Sequence, residues 1–306
     1  MALGNTIQNE VSCRGVGLHS GKMTSLKFVP GNEGEGIVFI RRDLGGVRVP
    51  ASSEHVISTR LSTIIGSNGA SVQTTEHLLG AVFALNIDNL VIEIDGPEVP
   101  AMDGSAAPFV VLLLKSGLAL QERKRSFIEI LKPMTVSEGG KEVSIHPASS
   151  FEILYHISFD HPLVLEQTYH YWHSQEAFIR EIASARTFAF FKDVSFLRSQ
   201  GFAQGGSLDN TVVLDDENVL NEQGLRFPDE FVRHKILDLM GDFSLLGMPV
   251  LGKVEAFCSG HDLHYKLVKR ILRDKKAWRV VSASSLSKDF ISYPLSRNLP
   301  LPAVTV

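Results

Sequence analysis

The sequence predicts an α+β fold made of two units, and three observations predict it. Short β-type runs bounded by Gly and Pro precede helical periodicity, and that order occurs twice along the 306 residues. The composition, 44% hydrophobic and 21% charged, is that of an ordinary globular protein, and the length suffices for two buried cores. A polar, basic run, QERKR at 121–125, separates the end of one helix from a fresh set of strands and reads as a linker. The units predicted are therefore 1–122 and 126–282. A tail over 283–306 follows, in which the proline spacing of SYPLSRNLPLPAVTV opposes packed helix or sheet.

In chain order, SLKFVP, GIVFIRRD and VRVPAS between Thr24 and Val56, punctuated by PGNEGEG, predict an antiparallel meander. A helix follows at Thr75 to Leu85. NLVIEIDG then reads as a buried strand, and SAAPFVVLLLKSG as a helix with Gly117 placed to end it. The second unit opens on FIEILKPMTV and KEVSIHPA around Gly139 and Gly140, a hairpin pattern, and continues with FEILYHISFD. Helices are predicted over Ser174 to Arg186, Asp229 to Gly247 and His261 to Trp278. The Gly-rich stretch from Val194 to Gly224, with one strand in it, reads as an excursion from the unit. GVGLHSGK at 15–22 fits neither phosphate-binding glycine pattern and is predicted to be a tight turn.

Charge and cysteine content narrow the function. The net charge is -4, and no basic tract interleaved with aromatics occurs, so nucleic acid is not expected as a partner. MALGNTIQNE lacks the charged and apolar regions of a signal peptide, and the longest apolar run, Phe109 to Leu114, is far too short to span a bilayer. Only Cys13 and Cys258 are present, too few for a disulfide framework. A soluble, cytoplasmic protein is expected. The predicted last helix carries Lys266, Lys269, Arg270, Arg273, Lys275 and Lys276, a face read as solvated, with at most peripheral membrane contact.

Two segments carry candidate chemistry. In TTEHLL a helix begins at Thr74 or Thr75, placing Glu76 and His77 in its first turn, where the helix dipole favours a carboxylate and a neutral imidazole. Neighbouring helical residues point about 100° apart, so Glu76 would address something beside whatever His77 binds. In FPDEFVRHKILDLMGD, with Pro228 suited to the first helical position, Val232, Ile236, Leu239, Met240 and Phe243 share one side. His234, Asp238 and Asp242, at i, i+4 and i+8, form a stripe opposite them. Taken singly, the first segment also reads as a surface acid–histidine pair and the second as a solvated stripe. Taken together, His77, His234 and Asp238 are two imidazoles and a carboxylate. That set suits Zn2+ and leaves a coordination position open for water, whose proton Glu76 could take. SGHDL puts His261 at a helix start, where it reads either as a proton donor to a leaving amine, held by Asp242, or as a solvated histidine. His19, His55, His156, His161, His170, His173 and His264 lack a partner at helical spacing and read as surface or packing residues.

The motifs GVGLHSGK, TTEHLLGAVFAL, IDNLVIEIDGPEVPAMDGSA, SARTFAF, LRFPDEFVRHKILDLMGD and SGHDL occur in one order over residues 5 to about 280. In this the sequence resembles the zinc-dependent UDP-3-O-acyl-N-acetylglucosamine deacetylases of lipid A biosynthesis. The resemblance implies two similar α/β units whose helices pack between two sheets, with the active site at their junction. It implies zinc held by His77, His234 and Asp238, Glu76 as general base, and His261 as general acid supported by Asp242. It further implies Thr187 at the oxyanion, Phe188 along the sugar and Lys235 toward the diphosphate. The segment from Val194 to Gly224 becomes a hydrophobic passage for the 3-O-acyl chain of a UDP-3-O-acyl-N-acetylglucosamine substrate. His264 departs from the family, which commonly has Asn there. From the residues alone, two other readings stay open: a zinc amidase for a different acylated substrate, or a non-enzymatic lipid or nucleotide binder with structural zinc, which would need a fourth protein ligand.

Overall fold

A computed structural model describes residues 3–282, so the predicted tail at 283–306 lies outside the described residues. The first half runs β1 (Leu3–Ile7), β2 (Val11–Val16), β3 (Met23–Pro30), β4 (Ile37–Arg41), β5 (Val47–Pro50), β6 (Val56–Ser58), β7 (Ile64–Ser67), β8 (Ala70–Val72), α1 (Glu76–Ala84), β9 (Leu90–Ile94), α2 (Ala107–Lys115) and β10 (Leu118–Lys124). The expected meander is corrected: the five-stranded sheet has the order β2-β3-β9-β4-β5, with β9 antiparallel to β3 and parallel to β4. LVIEI takes the middle with Leu90, Ile92 and Ile94 fully buried on one face, while its other face carries Val91 and the partly exposed Glu93. GVGLHSGK is the tight turn between β2 and β3, closed by Gly17 N–H on the Lys22 carbonyl and Gly21 N–H on that of Gly17, with Gly21 at φ +65°.

The linker reading of QERKR is also corrected. β10 pairs antiparallel with β1, the strand at the opposite end of this half. Strand pairing uses backbone groups, so charged side chains that mark a linker by composition do not prevent it on an edge.

The second half comprises β11 (Ser126–Ile130), β12 (Met134–Glu138), β13 (Lys141–His146), β14 (Phe151–Ser158), β15 (Glu166–Trp172), α3 (Gln175–Ala177), a π-helical turn Phe178–Ile182, β16 (Phe188–Phe190), α4 (Phe191–Ser199), β17 (Val212–Leu214), α5 (Glu230–Ser244), β18 (Val250–Phe257), α6 (His261–Arg273) and β19 (Trp278–Ser282). β12 and β13 form the expected hairpin around Gly139 and Gly140. The seven-stranded sheet is centred on β18, which pairs with β13, β14 and β11.

Three helix expectations are adjusted and one further helix is found. The segment from Ser174 is capped by the Ser174 hydroxyl on Ala177 N–H at 3.0 Å but ends at Ile182, short of Arg186. α5 starts after Asp229, so Pro228 precedes the helix rather than opening it. α6 stops at Arg273, and Trp278 begins β19, antiparallel to β11. The excursion contains the unforeseen helix α4, whose nine residues include no buried one, while β17 lies parallel to β16.

The layers set the site. α2 lies on β2 and α1 on α2, α1 meets α5, and α5 lies against β14 and β15 while α6 covers β12 and β13. The helices thus fill the space between the two large sheets, and one apolar core runs through all of them, from Phe28 and Ile92 through Leu78 and Ile236 to Tyr155 and Val254. Where α1 crosses α5, a Cβ on Gly80 would stand 2.8 Å from Leu237 Cδ1. Small residues at the crossing let the backbones approach, and the polar stripe of α5 is buried against α1 as a result.

Candidate active site

The first turn of α1 is anchored from outside the helix. Thr74, in the left-handed region at φ +56°, donates its hydroxyl to Glu98 Oε1 at 2.7 Å, and Glu98 also accepts the N–H groups of His19 and Ser20. Thr75 donates its hydroxyl to the Thr63 carbonyl at 3.1 Å instead of capping its own helix. Held this way, Glu76 and His77 are buried, and Glu76 Oε2 accepts the Thr63 N–H at 3.0 Å. Burial pushes the Glu76 carboxyl above the ordinary glutamate range, against the pull of His261 and His77.

Across the crossing, α5 presents His234 and Asp238 to the same point. Asp238 Oδ1 lies 3.5 Å from His77 Nε2 and 3.4 Å from His234 Nε2. The two imidazole rings meet edge to face with centroids 4.8 Å apart. His234 Nδ1 donates to the Ala185 carbonyl at 3.1 Å, which leaves Nε2 as a lone-pair donor facing the cluster. Burial lowers the His234 pKa to about 3, so the ring is neutral. Burial works against the Asp238 anion, but Lys235, His234 and a hydrogen bond from His77 overcome it and hold Asp238 well below the carboxylate range. Lys235 Nζ donates to Asp238 Oδ2, so Oδ1 is the oxygen left to the histidines. One ligand atom from each of His77, His234 and Asp238 falls within 4.8 Å of the others, all three residues being buried. The neutral His234 imidazole, the His77 imidazole beside it and an ionised carboxylate, with the outer ring nitrogen of His234 already engaged, fit a divalent cation of the N/O-binding type.

Behind this cluster lies a second one. His261, the first residue of α6, donates Nδ1–H to Asp242 Oδ2 at 2.8 Å, and its Nε2 stands 3.8 Å from Glu76 Oε1. Burial would lower the His261 pKa, but the Asp242 charge and hydrogen bond, with Glu76 beyond, raise it to about 9. Burial likewise opposes the Asp242 anion, yet the two histidines on it bring its pKa to about 2. His264 is corrected here: far from being a surface or packing residue without a partner, it is fully buried with Nδ1 2.8 Å from the same Asp242 oxygen. Burial lowers the His264 pKa, and its Nε2 accepts from the Ser259 hydroxyl at 2.9 Å.

A cavity of about 540 Å3 opens onto these groups and is lined by Glu76, His77, His234, Lys235, Asp238, His261, Thr187 and Phe188, with Asp242 behind His261. All nine residues named from the sequence therefore meet at one place. Thr187 is set by backbone pairing, its N–H on the Gly104 carbonyl at 2.8 Å and its carbonyl accepting Val212 N–H. A Cβ on Gly104, at φ +85°, would stand 2.1 Å from the Asn210 carbonyl oxygen, so the glycine of PAMDGSA permits that approach. Phe188 packs edge-on to Phe231 and His234. A second, largely apolar cavity of about 350 Å3 adjoins the first through Leu18, His19, Leu61, Thr187 and Phe188, and is walled by Phe191, Val194, Leu197, Leu208, Val213 and Leu220. His19, read from the sequence as unpartnered, lines both cavities. Thr63 carried no signal in the sequence at all.

A buried pair of imidazoles and a carboxylate able to hold a metal, flanked by a carboxylate and a raised-pKa histidine at the meeting of two sheet-and-helix layers, places this protein among hydrolytic enzymes. Residues 4–273 match the family described as UDP-3-O-acyl N-acetylglycosamine deacetylase, and the chain belongs to that family. Similar to it are the UDP-3-O-acyl-N-acetylglucosamine deacetylases of Syntrophus aciditrophicus (46% identical over 90% of this chain and 88% of the relative) and Syntrophotalea carbinolica (48%, 91% of each). That of Helicobacter pylori strain J99 is 44% identical over 93% of this chain and 96% of its own length. No helix among the described residues is long and apolar enough to cross a membrane.

Proposed function

We propose that this protein hydrolyses the N-acetyl group of UDP-3-O-acyl-N-acetylglucosamine, releasing acetate and UDP-3-O-acyl-glucosamine, the committed step of lipid A biosynthesis. The observation that carries the reading is the convergence of His77 Nε2, His234 Nε2 and Asp238 Oδ1 beside Glu76 and His261. His77, His234 and Asp238 would hold the metal, taken here as Zn2+. Bound there, Zn2+ supplies an electrophile for the amide carbonyl and makes a water easier to deprotonate.

The protein's own groups do the rest. Glu76, held through Oε2 by Thr63, takes the proton of the attacking water with Oε1, which stands 3.8 Å from His261 Nε2. Thr187 faces the oxygen that gains negative charge on attack. His261, kept protonated by Asp242, gives its proton to the nitrogen as the C–N bond breaks, so amine and acetate leave. Lys235 faces the diphosphate and Phe188 the sugar, while the apolar cavity beside α4 takes the 3-O-acyl chain.

The same reading treats residues 1–122 and 126–282 as two units with the site at their junction. Glu76 and His77 come from the first, and Thr187, Phe188, His234, Lys235, Asp238, Asp242 and His261 from the second. A cytoplasmic setting belongs to it, supported by Cys13 and Cys258 both being free. So does membrane contact that is peripheral at most, and no role for nucleic acid.

The test is acetate release from UDP-3-O-acyl-N-acetylglucosamine with metal quantified in the same sample. Release that stops on chelation and returns with stoichiometric zinc is expected. Release that ignores the chelator sinks the metal assignment, and no release from metal-replete protein sinks the activity.

A further inference from the structure

Thr63 lies in the loop between β6 and β7, is 1% exposed and belongs to no motif, yet three of its atoms reach the site. Its N–H donates to Glu76 Oε2 at 3.0 Å, its hydroxyl donates to Asp242 Oδ1 at 2.6 Å, and its carbonyl accepts both the N–H and the hydroxyl of Thr75. The same hydroxyl oxygen stands 3.4 Å from His261 Nδ1. The geometry points to Thr63 as a positioning residue for the proposed reaction, one that fixes the carboxylate taking a proton and the histidine giving one at a set separation by holding Glu76 and Asp242 from a single residue.

The chemistry requires such a tie. Glu76 rides on α1 and Asp242 on α5, so the 3.8 Å between Glu76 Oε1 and His261 Nε2 depends on how two helices and the start of a third are spaced. Asp242 Oδ2 is filled by His261 and His264, and Oδ1 has Thr63 as its partner. Without the hydroxyl, Oδ1 is a buried charged acceptor left unpaired, and the carboxylate is free to rotate toward another donor. His261 would then lose its orientation, and the carboxylate, with one donor fewer, would hold the His261 proton more tightly. The titratable groups facing His261 are Glu76 from α1, Asp238 and Asp242 from α5, His264 from α6 and His19 from the turn before β3. Thr63→Val removes only the hydroxyl and leaves all five in place.

The inference rests on the proposed activity, so it is tested by two readouts, one of which needs no turnover. Thr63→Val and Thr63→Ser are compared with wild type for kcat, KM and metal content, and the His261 ring is titrated by NMR in each. Thr63→Val is expected to lower kcat about a hundredfold with KM and metal content little changed. The His261 midpoint is expected to rise by about half a unit. Thr63→Ser, which keeps the hydroxyl, restores both. Should Thr63→Val not fold, Thr63→Ala supplies the comparison without the hydroxyl. An unchanged kcat and midpoint in the hydroxyl-free variant overturns the proposal, as does a loss spread over kcat, KM and stability with no movement of the midpoint. A wild-type protein that releases no acetate defeats the proposed function, while the midpoint difference between Thr63→Val and Thr63→Ser still decides the role of Thr63.

Discussion

Gly241 of α5 lies so close to α1 that a Cβ on it would stand 2.1 Å from the carbonyl oxygen of Glu76. The candidate base is therefore packed backbone to backbone against the helix that carries two of the three candidate metal ligands, His234 and Asp238. Gly241→Ala must push the helices apart, since the atom it meets is main chain. Overpacking of this kind costs about 1–3 kcal/mol. It also moves Glu76 and His77 away from His234 and Asp238, so kcat/KM is expected to fall more than stability alone explains. Urea unfolding and acetate release on the folded variant check this; a variant equal to wild type in both would show that the crossing has slack.

Glu76 and His77 are adjacent but face different tasks, and substitution should separate them. Glu76→Gln is expected to keep a full complement of metal while losing about 100-fold or more in turnover, the usual range for a missing general base. His77→Ala is expected to lose metal itself. Metal-to-protein ratios measured beside rates decide the matter, and near-wild-type turnover in Glu76→Gln would remove it from the base role.

The pH profile should carry an alkaline limb from His261. Its pKa is raised to about 9 from an ordinary 6.5, so the imidazolium contributes stability that is whole below about 6.5 and is lost as pH rises through about 9. Proton donation by His261 follows the same limb. Asp242→Asn removes the largest charge that holds the proton and leaves burial opposed only by Glu76 and Asp238, so the limb should move down by about 1–3 units. Rates measured from pH 6 to 10 on both proteins test it, and a limb that stays in place assigns the limb to another group.

How much of this was legible depended on whether the signal was local. The α5 stripe could be read because His234, Asp238 and Asp242 repeat at the helical period opposite an apolar face. What the stripe met could not be read, because that is set by α1 crossing it from another sheet layer. His264 went unrecognised for the same reason: its partner Asp242 is on a different helix, and no spacing within α6 reveals it. Thr63 is an uncharged loop residue whose role exists only once three helices have converged. In the fold, two strong helical patterns on either side mask VLGKVEAF, the central strand β18, and QERKR has the composition of a linker although backbone pairing with β1 tolerates its charges.

Glu230 illustrates a residue whose local signal pointed the wrong way. In the first turn of a helix an acid is expected at the surface, interacting with the dipole. Instead Glu230 is fully buried and accepts from Arg186 N–H at 3.0 Å, from Arg186 Nε at 2.8 Å and from Arg226 N–H at 2.6 Å. Arg186 is itself buried and immediately precedes Thr187, so this ion pair fastens the Thr187 strand to the start of α5. Glu230→Ala would strand the Arg186 guanidinium without a counter-ion, and breaking a buried pair from one side costs about 3–5 kcal/mol. Glu230→Gln keeps an acceptor and should lose less. Urea midpoints of the two variants, compared with wild type at unchanged slope, measure the difference. If Glu230→Ala unfolds within about 1 kcal/mol of wild type, where surface ion pairs fall, the pair does not fasten the strand, and the placement of Thr187 must rest on its backbone bonds to Gly104 and Val212 alone.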